Sequence, residues 1–250
     1  MSKRNTARKL LLLCAVLLAA CIGACACYLG IYYHASDEAA AIADSETIRI
    51  GGHEVLLFLP DDHPGTDSSS AFVFYPGGKV QAQAYAPLCS ALAERGIPCA
   101  LVVMPFRLAV FGSGAAKDVI TYLTDTLGCS TVCIGGHSLG GAMAAVYAAS
   151  DAGRLDGIVL LGAYSTKDLT DAGLRVLSIY GSEDGVLSRE RYAECLSNLP
   201  ADFTELVIGG GCHSYFGDYG MQKGDGSPSI DREEQLTETA DAIAAWMRRG

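Results

Sequence analysis

The sequence is short of positive charge. Over 250 residues there are 18 Lys and Arg against 28 Asp and Glu, a formal net charge of −10. Four of the basic residues, Lys3, Arg4, Arg8 and Lys9, fall in the first ten positions, so from residue 35 onward the balance is 14 against 28, or −14. A body without a basic face is poorly suited to nucleic acid or to anionic lipid. No C-x-x-C pair occurs among the ten cysteines, so a zinc ribbon or dithiol redox motif has no basis. The 29 glycines keep no three-residue period, which excludes a collagen-like chain, and no internal repeat is present. Only 18% of residues are charged and half are apolar, which excludes a disordered chain. The length suits one domain, with little left over.

Charge is absent altogether from Leu10 to Tyr33, a run of 24 positions. As a helix at ~1.5 Å per residue this run is ~36 Å long, enough for a ~30 Å hydrocarbon core. It exceeds the usual h-region of a cleaved signal, about 7–15 residues. The basic residues ahead of it favour a cytoplasmic N-terminus, so the rest of the chain is expected outside. The expected organisation is a cytoplasmic basic segment at 1–9, a transmembrane signal-anchor at 10–33, a polar Ala-rich stalk at 34–46 and a domain at 47–250. Two alternatives stay open. Leu18-Ala19-Ala20-Cys21 resembles a lipobox, which would make a lipoprotein anchored at Cys21. Ala24-Cys25-Ala26 has the A-x-A form of a cleavage site. Cys14, Cys21, Cys25 and Cys27 sit inside the run. The other six (Cys89, Cys99, Cys129, Cys133, Cys195, Cys212) lie in a domain whose export permits disulfides, but no pairing can be read from spacing.

Beyond residue 46 the pattern alternates. Thr47–Ile50 and Val55–Leu59 form a hairpin around Gly51-Gly52, and Asp61–Ser70 is a turn-rich loop. Strands are predicted at 71–75, 99–104, 131–135, 157–161, 174–180 and 203–208. Helices are predicted at 83–95, 115–127, 139–150, 188–199 and 233–248. Such alternation predicts an α/β fold: a mostly parallel sheet with helices on both faces, antiparallel only at its N-terminal end. In such sheets ligand chemistry gathers at the carboxyl ends of the strands.

Gly136-His137-Ser138-Leu139-Gly140 has the pattern G-x-S-x-G. Composition alone produces that pentapeptide in about one such chain in four, so its context decides. A buried strand enters it and an Ala-rich helix leaves it. The tight turn has no room for side chains at Gly136 or Gly140. Ser138 is the candidate nucleophile, and a hydroxyl needs a base. The five histidines are His34, His53, His63, His137 and His213. Only His213 lies downstream, in a Gly-rich loop at a carboxyl strand end, while His137 should point away from Ser138. Asp184, just past the strand ending at Tyr180, is the candidate acid, with Glu183 as its competitor. The N–H of Leu139 is one expected oxyanion donor. The loop Pro76-Gly77-Gly78-Lys79 should supply the other, at Gly78, with Gly77 and Lys79 as rivals. Arg107, Tyr164, Tyr215 and Phe216 are weaker candidates near a pocket. Gly224-Asp225-Gly226 reads as a turn, with too few oxygen ligands for calcium.

With these motifs the chain resembles the α/β-hydrolase superfamily over about residues 47–250. It looks most like small single-domain bacterial members of the dienelactone-hydrolase-like and esterase groups. The resemblance implies the α/β-hydrolase fold and a Ser138–Asp184–His213 triad acting on an ester-like bond of a small-molecule acyl substrate. No metal or cofactor is implied. The chain lacks the HGGG run of lipase-type relatives and has Ser where dienelactone hydrolases have Cys. A silent binding domain of the same fold, a peptidase and an acyltransferase are alternative readings. The twelve residues from Gly162 to Gly173 leave space for only a minimal lid.

Overall fold

The computed structural model describes residues 2–44, 47–61 and 70–249. Most of the loop expected at 61–70, with His63, lies outside them, as do Ser45 and Glu46. The chain forms two compact units, Met1–Tyr32 and Tyr33–Gly250. The first is one helix, α1 (Ser2–Gly30). Its stretch Arg8–Gly30, 23 residues of mean hydropathy 2.8 with none buried, is long and apolar enough to cross a membrane. The helix stops at Gly30, short of the Tyr33 boundary read from the apolar run.

Among the described residues the second unit is built on eight strands: β1 (Thr47–Ile50), β2 (His53–Phe58), β3 (Ser70–Tyr75), β4 (Cys99–Val102), β5 (Thr131–His137), β6 (Gly157–Leu161), β7 (Arg175–Gly181) and β8 (Thr204–Ile208). They form one sheet in the order β1-β2-β4-β3-β5-β6-β7-β8. β2 is antiparallel to β1 and to β4, and every later pairing is parallel. The remaining helices are α2 (Asp37–Ala43), α3 (Ala86–Glu94), α4 (Ala116–Asp125), α5 (Leu139–Ser150), α6 (Arg189–Cys195) and α7 (Arg232–Met247).

Both faces of the sheet are covered, so its central strands are apolar without a break. Alternate residues still go to opposite cores. Phe72, Phe74, Cys99 and Leu101 face the side packed by α3 and α7. Val73, Tyr75, Ala100 and Val102 face the side packed by α4 and α5. Each buried Phe or Leu contributes about 1.5–3 kcal/mol. α7 starts at the N-cap Asp231, whose carboxylate accepts the Glu234 N–H at 2.8 Å. It buries Leu236, Ala240, Ile243, Ala244 and Met247, spaced three and four apart. All ten cysteines are free thiols; Cys89, Cys99, Cys129, Cys133 and Cys212 are buried. Burial pushes the Cys133 thiol up to about 12, so it is a packing residue.

The described part of the expected stalk, residues 34–44, is not a free tether. Ser36 caps α2 by accepting the Ala39 N–H at 3.1 Å, and Ala39 and Ala43 are buried. Ahead of the cap, Tyr33 pairs with Val80 as a short parallel bridge. The Tyr33 N–H donates to the Lys79 carbonyl at 2.8 Å, and the Gln81 N–H returns to the Tyr33 carbonyl at 2.9 Å. Ser36 Oγ donates to the Asp218 carboxylate, and Tyr33 Oη accepts the Lys223 N–H at 3.1 Å. Seven residues carry too little periodicity to mark a helix in the sequence.

Register fixes what stands beside what. Tyr75 pairs with Gly136, His137 with Leu161, Leu161 with Ile179, and Gly181 with Ile208. The strand ends are therefore level, and the loops starting at Pro76, Ser138, Gly162, Ser182 and Gly209 open on one edge.

A chain beginning at Tyr33 should keep its full stability, whereas one beginning at Ala39 loses the bridge and the cap. At about 1 kcal/mol per hydrogen bond the second should be less stable by roughly 2–4 kcal/mol. Urea unfolding of the two truncations measures the difference, and equal midpoints would contradict it.

Candidate active site

Ser138 joins β5 to α5 with φ 53° and ψ −121°, a left-handed backbone that a non-glycine residue adopts only under constraint. The constraint is close packing. A Cβ on Gly140 would strike the Tyr75 and Pro76 carbonyls, and one on Gly136 would strike the Tyr75 carbonyl and the backbone of Gly140. The Ser138 N–H donates to the Leu161 carbonyl at 2.9 Å, tying the turn to β6.

His213 lies in the loop after β8 and is buried. Its Nδ1 is 2.8 Å from Asp184 Oδ2, in the loop after β7. The other Asp184 oxygen accepts the N–H groups of Val186 and Leu187 at 2.9 and 2.8 Å. That carboxylate therefore has three partners and a fixed orientation. Glu183 instead accepts a bond from Ser182 Oγ at 2.9 Å. Gly162, with φ +50°, passes beside the pair; a Cβ there would lie 2.9 Å from His213 Nδ1 and 3.1 Å from Asp184 Oδ2. Ser138 and His213 line one cavity of about 360 Å³ with Leu139, Met143, Tyr164 and Leu187. His213 Nε2 is buried and, among the described residues, has no hydrogen-bond partner.

Of the three candidate donors before β4, two are committed elsewhere. The Gly77 N–H donates to Tyr85 Oη at 3.0 Å, and the Lys79 N–H donates to the Arg107 carbonyl at 2.8 Å. Among the described residues the Gly78 N–H makes no hydrogen bond. Gly78 stands against Leu139, where an added Cβ would lie 2.8 Å from Leu139 Cδ2. The Leu139 N–H opens α5 and has no carbonyl within the helix to bond.

His137 packs against the site through Tyr85 and His213. Its Nδ1 is 2.8 Å from Tyr85 Oη, and its ring centroid is 4.3 Å from that of His213. Tyr85 thus accepts from Gly77 and faces His137, joining the Gly77–Gly78 loop to the buried histidine pair. Neither Tyr85 nor this use of His137 had a sequence signal, because both act across distant strand ends. Tyr164 lines the cavity, whereas Phe216 is in the core and Tyr215 lies under the Arg232 guanidinium. Among the described residues, the non-glycine positions with positive φ are Lys79, Phe106, Arg107 and Ser138, all just past the ends of β3, β4 and β5.

Burial, with His213 adding to it, holds the His137 imidazole well below the ordinary histidine value. The folded protein therefore keeps His137 neutral in mild acid, while the unfolded chain protonates it below about 6.5. The unfolded state then binds more protons, so this residue's contribution to stability falls as pH falls. The slope reaches about 1.4 kcal/mol per pH unit until the folded residue also titrates. Urea unfolding at pH 7 and pH 5 should lose more stability in the wild type than in His137→Phe. Equal losses would place the acid sensitivity elsewhere.

The profile of the alpha/beta hydrolase family matches residues 71–237, and the chain belongs to that family. A search of curated proteins finds no match. Several solved structures share the architecture. Est1E of Butyrivibrio proteoclasticus superimposes with a TM-score of 0.62 at 14% identity, over 82% of this chain and 98% of its own. The esterase domain of a Rhodothermus marinus protein gives 0.61 at 14% identity, over 81% and 96%. A serine hydrolase without a lid from Xanthomonas campestris gives 0.59 at 16% identity, over 82% and 95%. At such identities the likeness concerns the fold. Family and neighbours together make the chain hydrolase-like.

Proposed function

We propose that the protein is a serine hydrolase that cleaves an ester-like bond of a small or short-chain acyl substrate through an acyl-enzyme. The observation that carries this reading is the strained Ser138 turn opening on the same cavity as His213, itself bonded to Asp184 at 2.8 Å. Ser138 Oγ attacks the acyl carbonyl while His213 Nε2 takes its proton. Asp184 holds the Nδ1–H tautomer and stabilises the imidazolium. The N–H groups of Leu139 and Gly78 receive the oxyanion. His213 then protonates the leaving alcohol, and water repeats the sequence to release the acid. In this reading α1 tethers the domain to the outer face of a membrane.

Ser138→Ala should lower kcat on an activated ester by more than about 10³-fold with the fold intact. Asp184→Asn should be crippling and Glu183→Gln nearly silent. The assay on p-nitrophenyl acetate decides: Ser138→Ala within tenfold of wild type, about 1.4 kcal/mol in the barrier, would remove the nucleophile assignment.

Substrate size follows from the cover. Gly162–Leu174 connects β6 to β7 without an α-helix, and Leu169 in it is turned into the core. A long acyl chain would leave the cavity with little apolar wall to follow, forgoing about 0.8 kcal/mol per unburied CH₂. Short or compact acyl groups should therefore be preferred, with no interfacial activation. Measured kcat/KM should peak at short esters; a steady rise from acetyl to palmitoyl would refute the size limit.

A further inference from the structure

We propose that Asp225 is a positioning residue that clamps the loop carrying His213 to the loop carrying Asp184. This deepens the serine-hydrolase reading and rests on it. Asp225 lies in a Gly-Asp-Gly turn, and such a turn ordinarily holds only itself. Here the carboxylate's local bond is the one from the Gly226 N–H to Oδ1 at 2.9 Å, and its other bonds reach distant residues. The same oxygen accepts the His213 N–H at 3.2 Å and the Gly185 N–H at 3.1 Å. Oδ2 accepts the Ser214 N–H at 2.7 Å and the Ser214 hydroxyl at 2.6 Å. One carboxylate thus grips the backbone of the base, of the residue after it, and of the residue after the acid.

The clamp has a counterpart on the other side of His213. Gln235 of α7 accepts the Cys212 N–H at 2.9 Å and donates to the Cys212 carbonyl at 2.8 Å. Gln235 fixes the residue before the base to the body of the domain. Asp225 fixes the base and the residue after it to the acid loop, so it bears directly on the Nδ1 to Oδ2 distance. Burial disfavours its charge, yet the bonds from Ser214, Gly185 and His213 hold its carboxyl below the ordinary aspartate value. It therefore stays ionised at neutral pH, and a charged acceptor with several N–H donors is among the stronger polar contacts.

The test uses the full chain in detergent, as wild type, Asp225→Asn and Ser214→Ala. Three quantities are measured on the folded fraction, defined by near-UV circular dichroism. They are the labelling rate of Ser138 by a fluorophosphonate, kcat and KM on p-nitrophenyl acetate, and the far-downfield proton resonance of His213 Nδ1–H. Asp225→Asn should slow labelling and kcat by about 10²-fold, leave KM within about threefold, and shift or lose the downfield resonance. Ser214→Ala removes the hydroxyl donor to Asp225, together with the acceptor of the Gln222 N–H, and should slow labelling by about tenfold; it carries the test if Asp225→Asn does not fold. A residue that only stabilised the fold would lower the melting temperature and leave all three quantities unchanged; that outcome overturns the proposal. If wild-type Ser138 takes no label, the hydrolase reading fails. The downfield proton then decides alone: its loss in the variant supports the clamp and its persistence overturns it.

Discussion

The carbonyls of Tyr75 and Pro76 run so close to Gly136 and Gly140 that neither position has space for a single methyl group. That contact presses β3 against the turn between β5 and α5. With no Cβ in the way, α5 starts immediately at the strand end, and Ser138 is held left-handed between them. A conformation of this kind costs of order 1–3 kcal/mol and survives only when its surroundings leave no alternative. Six paired residues between β3 and β5, together with the Ser138 N–H bond to Leu161, supply those surroundings.

The rest of the site follows from the same contact. With Tyr75 opposite Gly136, the chain leaving β3 must pass beside the start of α5, which puts Gly78 against Leu139. Tyr85 occupies the Gly77 N–H and the Arg107 carbonyl that of Lys79, which leaves Gly78 as the donor of the proposed mechanism. Polar groups used this way do not move when charge develops nearby, which is what preorganised stabilisation requires. Strain is concentrated in the same place: Lys79, Phe106, Arg107 and Ser138 follow strands whose cores are fully packed.

The N-terminal segment of the domain belongs to this edge as well. Tyr33 extends the Lys79–Gln81 segment by one bridge, and Ser36 reaches Asp218, so the chain entering the domain braces loops on either side of His137. His137 is neutral, buried and packed at a tilt against His213, and it gains a partner in Tyr85 without adding charge beside that histidine. An ionised group in its place would be costly to bury and would disturb the histidine it touches.

Much of this was legible in the order of residues. The alternation of apolar runs and helical segments defined a mostly parallel sheet with an antiparallel start, because side-chain period is a local property. The pentapeptide around Ser138 and the placement of Asp184 and His213 at carboxyl strand ends followed from the same local logic. Short elements without periodicity escape it: the seven Ala-rich residues of α2 look alike in a helix and in a tether. What the sequence could not determine is which groups meet across strand ends. Proposing Gly78 over Gly77 and Lys79 depended on Tyr85 Oη and the Arg107 carbonyl, and the grip of Asp225 on His213 and Gly185 depended on residues 12 and 40 positions away closing on one carboxylate. Those bonds are set by strand register and loop closure, and they exist only once the sheet has formed.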